Sequence, residues 1–322
     1  MNIKSPKPRP AKIIKIGILN RKTFLLDYLK KNEYGFYYEA LKKQTKNGKW
    51  NNLRFVSPNE KSDLDLLFTI HRKPFSFNKT IFLDYEPSRV KKDYTYFWRF
   101  PKERFFFYNY SIKKHGWPIL WLLNKDYNYL IKNSPKKTKI LSSVLPSYIH
   151  YPAQKQRVYF ISNYLDKLNY FDHYGKIYDP NAIWFSKGAH EKTKQMFLKM
   201  KHYRGFLDNK EDGLLPYKYT FTCETAREKN YFTEKLVDAI LCECLCFYDG
   251  CSNVEKFIDP RCFIRVDIRK PQEAIRIIEE SIKNGEWEKR IKSIRAQKVK
   301  ILNEMQIFPM IEKILKGKGI LL

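Results

Sequence analysis

Thr233, Glu234 and Lys235 stand side by side and could do chemistry together. Threonine is a preferred helix N-cap, and the run 233–242, TEKLVDAILC, reads as a helix. A helix that starts there would gather backbone N–H groups, the positive end of the helix dipole and an ammonium at one point, an arrangement that suits a diphosphate. The Glu234 carboxylate in the same turn can accept hydrogen bonds from sugar or ribose hydroxyls. A nucleotide-sugar site requires that combination. Glutamate near a helix start is also ordinary capping chemistry, so these three residues alone admit a purely structural reading.

Two other groupings invite metal chemistry with poor geometry for it. Cys242, Cys244 and Cys246 alternate with Glu243 and Leu245, which would put the thiols on one face of an extended segment rather than in the Cys-x-x-Cys knuckle of a structural zinc site. Asp63-Leu64-Asp65 is an Asp-x-Asp, but it enters a strand-like run without supporting context. Buried thiols and no metal are the expectation. All six cysteines lie in the C-terminal half, without the scatter of a secreted disulfide framework, which fits a reduced, cytoplasmic protein.

The elements that must position these residues follow from periodicity and punctuation. Strand-like runs fall at 12–19, 65–71, 80–85, 93–100 and 105–110, with a helical stretch at 24–31. The polar segment Ser134-Pro135-Lys136-Lys137 reads as a linker. Beyond it, strands at 139–145, 217–223, 245–248 and 263–266 alternate with helices at 157–168, 233–242, 271–283 and 286–302. This rhythm predicts an α/β protein of two doubly wound, Rossmann-like domains with parallel sheets and a ligand cleft between them. The expected limits are a basic tail at 1–10, a first domain at 11–133, a second at 138–285, and C-terminal helices at 286–322 that pack back on the first. A length of 322 residues supports two cores, and 43% hydrophobic residues can fill them.

Lys and Arg number 62 against 34 Asp and Glu, a surplus of 28 that attracts phosphates, anionic surfaces or nucleic acid. An AT-rich coding sequence would enrich lysine without selection for charge, so the surplus alone names no partner. The first ten residues lack the apolar core of a secretory signal, and no window approaches the roughly 18–20 apolar residues that span a bilayer. A soluble protein is expected, with peripheral contact to a membrane or polyanion through the basic tail and the C-terminal helices.

Order and spacing add more than the isolated triplet. The run 217–250, YKYTFTCETAREKNYFTEKLVDAILCECLCFYDG, followed by FIDPRCFI, resembles the donor-binding signature of the family 10 glycosyltransferases, the α-1,3/4-fucosyltransferases. Tyr217, Lys218, Tyr219, Glu224, Tyr231, Thr233, Glu234, Lys235, Gly250, Pro260, Phe263 and Ile264 occur in the family's order. The resemblance implies the two-domain GT-B architecture, with Glu234 as ribose contact, Lys235 as phosphate contact, Tyr231 lining the donor pocket, and Glu224 and Thr225 at the strand end beside it. The family usually has Asn where this chain has Thr225 and a small residue where it has Glu243. Upstream, Arg157 at an expected helix start is similar to the family's phosphate-binding arginine, with a surface arginine as the alternative. Asp172-His173-Tyr174-Gly175 resembles its Asp-x-x-Gly, and residues 81–87, IFLDYEP, resemble the strand that ends in its general base. That role falls on Glu86, with Asp84 as the nearest rival.

Together these imply an inverting, metal-independent transfer of a sugar, L-fucose from GDP-fucose, to a hydroxyl of a glycan acceptor. No cofactor and no metal are called for. Two other readings stay open: another nucleotide-sugar donor such as a xylosyl one on the same fold, and a nucleic-acid-binding protein that uses its charge with 23 Tyr and 23 Phe. No Walker, GxGxxG, zinc-finger or RNP-type motif supports the last, so nucleic acid is not an expected partner.

Overall fold

The computed structural model describes residues 13–18, 39–56, 60–68, 80–84, 108–111, 119–177 and 187–321. Its strands are β1 (Ile14–Ile18), β2 (Lys49–Trp50), β3 (Leu53–Phe55), β4 (Leu64–Phe68), β5 (Thr80–Asp84), β6 (Tyr108–Ser111), β7 (Lys139–Val144), β8 (Phe171–Tyr174), β9 (Tyr217–Cys223), β10 (Leu245–Asp249) and β11 (Phe263–Arg265). The helices are α1 (Tyr127–Lys132), α2 (Pro152–Asn163), α3 (Lys187–Leu198), α4 (Glu234–Leu241), α5 (Pro271–Lys283), α6 (Glu286–Lys300) and α7 (Ile307–Gly317), with a π-helical turn at Ile301–Met305. The helix expected at 24–31 and the strand expected at 93–100 lie outside the described residues.

The strands form two sheets, ordered β2-β3-β1-β4-β5-β6 and β11-β10-β9-β7-β8. All pairs are parallel except β2 with β3. The antiparallel pair turns over Asn51, whose φ of 47° suits asparagine, and this small hairpin is absent from the sequence expectation. Without β2, each sheet follows the same 2-1-3-4-5 order, in which the chain reverses direction beside the first strand of the unit. In the second sheet that switch point falls between β7 and β9. Ligands of such sheets bind outside the carboxyl ends of the strands at the switch point, so the loops after Val144 and Cys223 frame the place to look.

Parallel strands covered on both faces read as continuous apolar runs, and β10 is buried at all five positions. Tyr219 stacks on Phe247 and Phe160 packs against Phe221, tying α2 to the sheet. The C-terminal helix crosses to the first sheet: Ile307 N donates to Ile119 O at 3.1 Å, Gln306 Nε2 donates to Gln44 O at 3.2 Å, and Phe308 meets Phe55 edge-on. Among the described residues no helix is long and apolar enough to cross a membrane.

Candidate functional site

Glu224 follows β9 directly and has no exposed surface. Its backbone N–H donates to Asp249 O at 2.9 Å, which sets the strand ends of β9 and β10 side by side. Both carboxylate oxygens are taken by Thr233, one by its backbone N–H at 2.8 Å and the other by its hydroxyl at 2.7 Å. The intervening loop is thereby closed, and α4 must start where Thr233 is held. Thr233 also caps the helix, accepting from the Lys235 backbone N–H.

Lys235 turns its ammonium back over this junction, 3.0 Å from Thr233 Oγ1, 3.1 Å from Glu234 Oε1 and 3.5 Å from Glu224 Oε2. Glu224 is sealed, whereas the side chains of Glu234 and Lys235 keep 18% and 17% of their surface exposed. That difference separates an anchor from two groups that a ligand can reach. Burial raises the Glu224 carboxyl against the attraction of Lys235. Burial also opposes ionisation of Glu234, but the fields of Lys235 and Lys210 outweigh it and bring the group down to about 2. Lys235 loses basicity to burial and regains more from Glu234 and Glu224, so it stays charged throughout the physiological range. A fixed ammonium at the positive end of a helix, beside a fixed carboxylate, can hold a diphosphate and a diol together.

Lys210 completes the charge balance from another element. Its ammonium lies 2.7 Å from Asp238 Oδ2, and Asp238 is one helical turn beyond Glu234. The other Asp238 oxygen accepts from Leu122 N at 3.1 Å, so the segment joining the two sheets is fastened to α4. Burial pushes the Asp238 carboxyl up to about 6 despite Lys210.

Arg157 requires a correction. Pro152 starts α2 at its first position, with the Gln154 side chain accepting from Tyr151 N, so Arg157 sits in mid-helix and not at a helix start. It is 1% exposed, and its Nη2 reaches back to the carbonyls of Pro146 and Tyr148 at 2.8 and 3.1 Å. Arg157 therefore braces the loop after β7 on the other flank of the switch point. Thr225 is half-buried next to Glu224. Tyr231 is buried, and its phenol feels the Lys235 charge. Glu86 lies outside the described residues.

Two participants, Arg227 and Tyr248, were not singled out from the sequence. Arg227, in the loop between β9 and α4, forms a two-pronged pair with Asp249 at 2.5 and 2.7 Å and donates to Gln156 on α2 at 3.1 Å. Only the fold brings these three together. Tyr248 donates to Glu224 Oε1 at 3.4 Å. At Gly250 an added Cβ would lie 2.4 Å from the Tyr248 hydroxyl and 2.5 Å from Glu224 Cγ, so only glycine lets the chain pass there. Gly250 is the glycine already named in the family-like order of the sequence.

The groupings with metal potential resolve into structural roles. Asp63 accepts from Lys15 N at 2.8 Å and Asp65 from Ser62 Oγ at 2.6 Å, so this Asp-x-Asp ties β4 to its neighbours. The six cysteines are buried free thiols, and among the described residues no three His, Cys, Asp or Glu converge on a common point. Glu243 ends α4 with φ of 59°, in the left-handed region where a cap glycine is usual. Its side chain accepts from Arg295 at 2.8 Å and Lys298 at 3.0 Å, which gives this position a packing role at the end of α4 away from Lys235.

No family model and no curated protein matches this sequence. Solved structures do resemble it. A crystal structure of alpha1,3-fucosyltransferase with GDP is 16% identical, with 95% of each chain covered and a TM-score of 0.47. Another, of alpha1,3-fucosyltransferase, is 14% identical over 95% of this chain and 94% of that one, with a TM-score of 0.48. A glycosyltransferase from Rickettsia africae ESF-5 is 14% identical over 84% of this chain and 72% of its own, with a TM-score of 0.46. The likeness is one of chain path at low identity.

Proposed function

We propose that this protein is an inverting glycosyltransferase that moves a sugar, L-fucose from GDP-fucose, to a hydroxyl of a glycan acceptor. The observation that carries the reading is the start of α4 at the carboxyl end of β9, where buried Glu224 locks Thr233 and leaves Glu234 and Lys235 reachable. Fucose as the sugar, and GDP as its carrier, rest on the resemblance of residues 217–264 to the family 10 signature.

In this reading Lys235 and the helix start hold the diphosphate, and Glu234 accepts hydrogen bonds from the ribose hydroxyls. Arg157 of α2, behind the loop after β7, adds positive charge, and Tyr231 lines the donor side. Glu86 removes the proton of the acceptor hydroxyl as that oxygen attacks the anomeric carbon. The bond from the anomeric carbon to the phosphate oxygen breaks with its electron pair, and GDP departs with its charge offset by the cationic side chains. The configuration inverts in this single displacement.

Thr225, where the resembled family carries Asn, favours a second reading in which the same site takes another nucleotide sugar. A thermal-shift comparison of GDP and UDP separates the two: stabilisation by UDP but not GDP would remove the fucose assignment. Glu86→Gln is expected to bind GDP-fucose as the wild type does and to lose transfer, read by product analysis over a panel of glycan acceptors. Retention of most activity by that variant would place the base elsewhere.

A further inference from the structure

A cavity of about 560 Å³ opens at the carboxyl ends of β10 and β11, beside the start of α5 and behind the wall that carries Glu224. Its volume lies in the range of small-molecule sites. Its lining includes four cations, Arg227, Arg265, Arg269 and Lys270, and three carboxylates, Asp249, Asp267 and Glu273. Each cation already has a carboxylate partner. Arg227 pairs with Asp249 through two bonds, and Asp249, only 4% exposed, accepts a third from Ile268 N at 3.1 Å. Arg269 pairs with Asp267 through two bonds of 2.8 Å, and Arg265 with Glu255 at 2.5 and 2.7 Å. Lys270 lies 3.7 Å from Glu273.

An anion entering this cavity would meet those carboxylates and have to break pairs that are already made. A purely apolar ligand would leave the guanidinium and carboxylate edges without water. A neutral, hydroxyl-rich ligand faces neither cost, because hydroxyls both donate and accept. The ion pairs offer it N–H groups and carboxylate oxygens at fixed positions. Val266 and Ile277 supply apolar surface in the same cavity, which suits the C–H face of a sugar ring. We infer that this cavity binds a neutral saccharide unit. None of the residues proposed to hold the donor lines the cavity, although Arg227, Tyr248 and Gly250, which border the donor site, do. Tyr248 nonetheless links the two places, because it lines this wall and its hydroxyl donates to Glu224.

The test is a methyl NMR titration of the full chain, labelled at isoleucine, with L-fucose, D-galactose and N-acetyl-D-glucosamine, each to about 100 mM, and with inorganic pyrophosphate to about 10 mM. At least one sugar is expected to shift the Ile277 methyl saturably, with a dissociation constant on the order of 10 mM. Ser252→Trp, which intrudes on the cavity, and Arg269→Ala at its rim are each expected to weaken that binding at least tenfold, read on the same Ile277 methyl, while the response to GDP is unchanged. With two variants, a failure of one to fold leaves the other to decide. No shift of Ile277 by any of the three sugars overturns the proposal, as does sugar binding that both variants retain. A saturable shift by pyrophosphate in place of sugar would make it an anion site.

Discussion

The two ends of α4 carry buried carboxylates that look alike in composition and differ in how they are satisfied. At the C-terminal end, Glu243 has one cation on each oxygen, Arg295 and Lys298, and their hydrogen bonds outweigh burial to hold its carboxyl below the ordinary range. Lys298 is itself 5% exposed and also donates to Asn133 O at 2.8 Å. That end is closed. At the N-terminal end, two carboxylates share Lys235, burial raises Glu224, and the heads of Glu234 and Lys235 remain open to solvent. A closed network fixes the packing of a helix; one that leaves charged heads reachable can take a ligand.

Substitutions at the two ends sharpen this contrast. Glu243→Ala is expected to have the largest effect, about 3–5 kcal/mol of unfolding free energy by denaturant titration, because it strands the buried Lys298 ammonium. Its GDP affinity should follow the wild type at temperatures where it is folded. A donor site disabled by Glu243→Ala would break the division between the two ends. Thr233→Val removes the cap and the hydroxyl that satisfies Glu224, and should cost about 2 kcal/mol, with weaker GDP binding as well. Glu234→Gln should lower stability modestly, because it removes the charge that Lys235 and Lys210 favour, and weaken GDP about tenfold, roughly 1.4 kcal/mol, by calorimetric titration.

Another effect concerns pH. Asp238 has its carboxyl raised from 3.8 in the unfolded chain to about 6 by burial, so its neutral form is favoured in the fold. Its contribution is complete below about pH 4 and is lost as pH rises through 6. Wild type should therefore lose stability relative to Asp238→Asn between those values, and a difference independent of pH there would contradict the assignment.

The strands and helices of the second sheet were legible because each carries strong local signals. Residues 217–223 form a strand as read, and Pro271 opens α5 at the residue expected. Thr233 was legible as a cap because threonine before an apolar-periodic run has few other uses. Arg157 was misplaced by five residues of helix, since the apolar spacing after it outweighed the start signal of Pro152. The hairpin of β2 and β3 escaped because five short residues of strand carry no periodicity, and its turn rests on the left-handed conformation of Asn51. The Arg227 to Asp249 pair spans 22 residues and exists only because β9 and β10 are neighbours. Glu224 was read as a strand-end residue beside the donor; its bonds to Thr233 show it as the anchor of the helix start.

The central claim is that the start of α4 holds a nucleoside diphosphate through Lys235. Calorimetric titration of GDP into the wild type and Lys235→Ala tests it most directly. The account predicts a saturable wild-type isotherm and a loss of about a hundredfold in the variant, roughly 2.7 kcal/mol, with the fold intact by circular dichroism. Equal affinities in the two proteins, or no binding of GDP by the wild type, would contradict it.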